Sequence, residues 1–206
     1  MSEERPFLTA FQRPDRFRYE FRGQTGGGGP FHRYIVWREG TAVRTRWELL
    51  GRDERPESLV LALAGATGVS GGSAHTVPSL LLPDEFEGDA LRRFVDIELV
   101  GQTALGGVAC HHLTARAAPI PADVQAQMNE AIRKATGGMG ASAPSAERDA
   151  THLWITIGTS LLRRMEERVN FDAFATVSVT NYAGETGLTI GDDEFRFDGG
   201  GPTVLN

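Results

Sequence analysis

The chain has 206 residues, enough for one domain with a sizeable core or for two small ones. It is 40% hydrophobic and 23% charged, an ordinary soluble composition, and its net charge of −6 argues against a nucleic-acid binder, which carries a basic excess. A single cysteine, Cys110, excludes an internal disulfide and a closed cysteine-based zinc site, and no apolar run is long enough to cross a membrane.

The patterned segments in the first quarter have period two. "FLTAFQ" at 7–12 leads through the turn "RPD" into "RFRYEFR" at 16–22. There Phe17, Tyr19 and Phe21 fall on one face and Arg16, Arg18, Glu20 and Arg22 on the other, the alternation of a half-buried strand. After the glycine run at 26–29, "RYIVW", "REG" and "TAVRTRWEL" read as a hairpin. At 56 the character changes. "PESLVLALAGATG" opens on proline and closes on glycine with helix formers between, and "TVPSLLLP" predicts a second short helix. Strands resume at 92–101 and 106–116. Residues 118–150 read as an insertion: a helix beginning in "PADVQAQMNEAIRKATGG", then a mobile loop of small polar residues. Three further strands are expected at 151–158, 161–171 and 173–183, and a last extended piece near "DDEFRFDGGGP". Short hairpins between successive strands require antiparallel pairing. The expected fold class is therefore α+β: one large, curled antiparallel sheet with helices on its concave face, in a single domain over 1–206.

Two motifs suggest chemistry. Gly68-Val69-Ser70-Gly71-Gly72 has the spacing of a serine-hydrolase nucleophile elbow. Such an elbow needs a strand before the serine and a helix directly after it, and Pro78 stands where that helix should run. The plainer reading is a glycine-rich link between two helices, with Ser70 and Ser73 as turn or cap residues. In "CHHL" at 110–113 strand alternation sends His111 and His112 to opposite faces. Only Cys110 and His112 converge, too few ligands for a metal site, and none is assigned. The glycines at 26–29 do not join a strand to a helix, so they form no phosphate loop.

The order of these segments resembles the LolA/LolB-like superfamily of periplasmic lipoprotein carriers. The resemblance rests on "FLTAFQRPDRFRYEFR" followed by a W-x-x-G hairpin and two helices, then "VGQTALGGVACHHLTAR", "LWITIGTSLLRRMEER" and "DDEFRFDGGGP". It covers most of residues 7–202 outside the insertion. It implies an incomplete half-barrel closed by helices, whose cavity holds acyl chains of lipids or lipoproteins, with no catalytic residues and no cofactor. It also implies a periplasmic or cell-envelope location and an envelope protein partner. No secretory leader is legible in "MSEERPFLTAF", so a chain that starts there is cytoplasmic.

The resulting expectation is a non-enzymatic carrier of an apolar ligand that neither spans a membrane nor binds nucleic acid. Its cavity lining would comprise Phe17, Tyr19, Phe21, Trp37, Trp47, Leu63, Val77 and Leu81. The alternatives are a serine hydrolase using Ser70 and a protein-interaction or sensor domain on the same half-barrel. The element preceding Ser70 separates the hydrolase from the other two.

Overall fold

A computed structural model describes residues 4–24, 31–67, 70, 72–82, 84–86, 91–119, 121–123, 126–127, 130, 147–170 and 174–197. The chain divides into two compact units, Met1–Leu91 with Gly187–Asn206, and Arg92–Thr186.

The first unit is a five-stranded antiparallel meander, β1 (Phe7–Gln12), β2 (Arg16–Gln24), β3 (Phe31–Glu39), β4 (Ala42–Trp47) and β5 (Arg52–Glu54), with neighbours in chain order. Two short helices follow, α1 (Leu59–Thr67) and α2 (Ser73–Leu81). The alternation in β2 decides the packing. Phe17, Tyr19 and Phe21 are buried in one cluster with Tyr34, Val36 and Val43 of the sheet and Leu59, Ala62, Leu63 and Ala66 of α1. The polar tips of this core are satisfied: the Tyr34 hydroxyl donates to the Ala62 carbonyl at 3.1 Å, and the Tyr19 hydroxyl shares a 2.7 Å hydrogen bond with Ser73 Oγ. Burial holds the Tyr19 hydroxyl above its ordinary pKa, against the hydrogen bonds to Ser73 and Ser70.

The opposite face of that sheet is no solvated surface. Arg18 and Glu20 are each 1% exposed and form a 2.8 Å ion pair. Arg22 adds a second bond to Glu20 at 3.1 Å, and Arg18 also donates to the Arg196 carbonyl. The closing segment lies along the same face: the Trp37 indole N–H donates to the Phe195 carbonyl, and the Arg16 guanidinium stands 4.4 Å over the Phe195 ring.

The second unit contains β6 (Phe94–Leu105), β7 (Val108–Ala117), β8 (Glu147–Arg148), β9 (Thr151–Thr156), β10 (Leu162–Asn170) and β11 (Ala175–Asn181). The sheet runs β11-β10-β9-β7-β6, with β8 also paired to β10. Ala115, Leu153, Thr151 and Met165 are buried on one face. Of the expected insertion, Ala122, Asp123, Ala126, Gln127 and Glu130 are helical; residues 131–146, which hold most of the expected loop, lie outside the described residues.

The curled half-barrel is therefore corrected. The chain is α+β, but it has two separate antiparallel sheets, and neither curls or closes into a half-barrel. The ladder ends at β5; the chain then passes through both helices, and β6 starts a new sheet. A barrel-like wall needs one hydrogen-bonded register carried through all its strands, and here no pairing joins the first five to the rest among the described residues. The helices do not roof a cavity either. Their inward side chains fill the space above the sheet as core.

Candidate functional site

Phe17, Tyr19, Phe21 and Leu63 lie in the core of the first unit, and Trp47 and Leu81 pack against it half-buried. Val77 is buried on α2. Trp37 departs from this group. The register sets it opposite Arg18 and Arg44, which places it on the other face of the sheet. The expected lining residues thus divide between the two faces of one sheet.

Ser70 follows α1, not a strand, so the "LVLALA" run at 59–64 is helical. Its side chain is 3% exposed, and Oγ accepts the Ala74 N–H at 3.1 Å in the first turn of α2. Ser73 Oγ donates to the Ser70 carbonyl at 3.0 Å. The N-cap position is Gly72, which has no side chain, and Ser70 Oγ takes up one of the free N–H groups of the first turn. Pro78 sits inside α2 and does not end it. The hydrolase alternative is overturned by the preceding helix and by the antiparallel sheets.

The polar chemistry gathers instead on the second unit. Cross-strand register builds two neighbouring rows on one sheet face. The first runs Gly101, His112, Trp154, Arg164, Asn181 and the second Glu98, Thr114, His152, Glu166, Val179, each from β6 to β11. In the first row the His112 and Trp154 rings stack at 4.6 Å with 2° between planes, and the Arg164 guanidinium stands 5.1 Å from the Trp154 ring. His112 Nε2 and His152 Nδ1 share a hydrogen bond of 3.0 Å between the rows. Those two rings are 5.2 Å apart by centroid, so they meet edge to edge with one proton between them. Burial and the neighbouring His152 hold His112 below its ordinary pKa, with Glu166 acting the other way. Glu166 is itself engaged by Arg164 at 2.8 Å.

Beside His112 this arrangement stops. Gly101 offers no side chain, and a Cβ there would meet nothing within 4 Å. Beyond Gly101 lies the outer edge of β6, with no paired strand among the described residues. Ile97, Leu99 and Val100 on this edge strand are 56%, 62% and 57% exposed. The charges of β6 are Asp96 and Glu98; Asp96 is bound by Arg116 at 2.7 Å, and Glu98 has no ion pair among the described residues. Sequence reading saw the "CHHL" alternation but missed this site, because it depends on which strands become neighbours. Two open clefts, of about 380 and 330 Å3, lie near Arg163 and Tyr182, the second of them lined also by Arg164 and Asn181 at the far end of the first row. No group of three or more metal-ligating side chains occurs among the described residues.

No family model matches the chain, and no curated protein matches it. Among solved structures, a DUF1329 family protein from Desulfovibrio piger is similar at 14% sequence identity, covering 94% of this chain and 87% of that one, with a TM-score of 0.24. A superposition that loose assigns neither fold nor function. The LolA/LolB-like resemblance is corrected with the half-barrel: its motifs are short strand patterns that any hairpin-rich chain repeats, and the sheets they build here are of another architecture. The lipid- or lipoprotein-carrier function goes with it, since the cavity it needs is absent from the described core. The interaction domain drawn on that half-barrel loses its frame as well. No helix among the described residues is long and apolar enough to cross a membrane.

Proposed function

We propose that this chain is a non-enzymatic docking module that takes an extended segment of a partner protein on the free edge of β6. One observation carries the reading: a twelve-residue edge strand that displays Ile97, Leu99 and Val100 to solvent with no strand beside it among the described residues. An unpaired edge presents N–H and C=O groups that an added strand completes. Edges that must stay free are blunted by charges, proline, bulges or short length; β6 has no proline, is twelve residues long, and carries its two charges, Asp96 and Glu98, before Gly101. It does carry two register irregularities, at Val95/Glu98 and Leu99/Gly101. Past them, Gly101–Leu105 is regular, each residue facing its partner on β7 without a break. That stretch is the ladder an incoming strand would extend. The carboxylate of Glu98, which has no ion pair among the described residues, favours a basic segment.

The test is amide exchange followed by NMR while a short capped peptide of alternating lysine and threonine is added. Slowed exchange at Gly101–Leu105, abolished by Val100→Pro, is the expected result. Exchange unchanged along β6 would overturn the reading.

A further inference from the structure

We propose that the docking edge selects an aromatic side chain, which enters the gap over Gly101 and extends the Arg164–Trp154–His112 stack by one member. The inference rests on the strand-docking reading and adds a specificity to it. Four observations bear on it. The row order puts Gly101 next to His112 on the side away from Trp154. One face of the His112 ring is covered by Trp154 at 4.6 Å and 2°, so the ring plane is already fixed across the strands. The end-to-end hydrogen bond to His152 holds that plane from the neighbouring row. The position beyond is open, because the built Cβ of Gly101 meets nothing within 4 Å.

A residue directly opposite Gly101 on an added antiparallel strand projects to the same face as Gly101 and His112. Its side chain leans over the glycine, where no side chain blocks it. An aromatic side chain covering a cross-strand glycine recovers the packing that glycine forfeits, and here it also meets a ring already oriented for stacking. Residues two positions to either side of that aromatic lie on the same face. Glu98, exposed in the adjoining row on that face, favours a basic residue at one of those places. The partner segment is thus a basic strand with one central aromatic.

The test compares two capped peptides, lysine-threonine-phenylalanine-threonine-lysine and the same sequence with alanine at its centre, by NMR titration of the wild type and of Gly101→Val. The expected result is at least tenfold tighter binding of the phenylalanine peptide, with ring-current shifts on the His112 imidazole protons, and loss of that preference in Gly101→Val. Equal affinity of both peptides, with β6 protected, overturns the aromatic selection and leaves strand docking standing. No protection of β6 by either peptide overturns strand docking itself. A Gly101→Val protein that keeps the preference also overturns the selection. His112→Ala, measured alongside, is expected to remove the preference without filling the gap.

Discussion

The two units use the same antiparallel strands to opposite ends. In the first, both faces of the sheet are engaged at β2: aromatic side chains pack under α1 on one face, and the Arg18–Glu20 pair is buried on the other. In the second, Leu153 and Met165 are buried on one face, but the other carries half-buried polar and aromatic rows, and the edge strand β6 is apolar and exposed. The difference shows where each unit's free energy resides. A sheet buried on both sides spends its side chains on stability, whereas a sheet with a bare edge keeps backbone groups for something else.

The comparison breaks most visibly at Glu20. Glu20→Ala leaves the Arg18 guanidinium buried without its carboxylate, and a loss of about 3–5 kcal/mol is expected in urea unfolding of the first unit. The pair variant Arg18→Met with Glu20→Leu should recover most of that loss, since the same volume is filled without a desolvated charge. A Glu20→Ala change of under about 1 kcal/mol would mean that water reaches the pair.

Leu63→Ala, in the centre of the helix–sheet core, should destabilise by about 2–5 kcal/mol, depending on how far the site collapses. Ser70→Ala should remove about 1 kcal/mol through the lost hydrogen bond from the Ala74 N–H, and a fluorophosphonate probe should leave the wild type unlabelled.

In the second unit the expected sensitivity is to pH. His112 titrates below its ordinary value in the folded chain, so between that lowered value and about 6.5 the unfolded chain binds more protons. Stability is then complete above about pH 6.5 and falls as pH drops through the folded value. Protonation of His112 also leaves its ring nitrogens as donors only, so His112 Nε2 can no longer accept from His152. Thermal melts from pH 7 down to 5 should show this decline, and His112→Gln should flatten it. The smallest effect is expected at the edge. Leu99→Ala should change stability by no more than about 0.5 kcal/mol, because the side chain is 62% exposed. A loss comparable with that of Leu63→Ala would show β6 to be covered in solution.

Much of the local structure was legible in the sequence. The alternation of "RFRYEFR" placed Phe17, Tyr19 and Phe21 on one face, and the helix formers at 59–64 emerged as α1. Proline was misjudged at position 78, the sixth of the nine residues of α2, where it does not end the helix. The charged face of β2 was underread. Arg18 and Glu20 look like ordinary outward residues until a distant segment, Phe195–Phe197, is found on that side. The candidate site was less legible still. "CHHL" announced that His111 and His112 part company, yet nothing near His112 in sequence points to Trp154, His152 or Arg164.

Strand period, helix period and turn residues are set by steric and solvation preferences within a few residues, and on those the sequence by itself determined the hairpins, the two helices and which side chains share a strand face. It did not determine how the hairpins join. Whether β5 and β6 share a ladder depends on hydrogen bonds between residues far apart in the chain, and each such pairing is weighed against loop closure and the packing of whole faces. Only the tertiary structure decided that there are two open sheets and no curled one. It alone set Gly101 beside His112 and left β6 at an edge, because neighbours across a sheet are chosen by the ladder and not by the sequence around them.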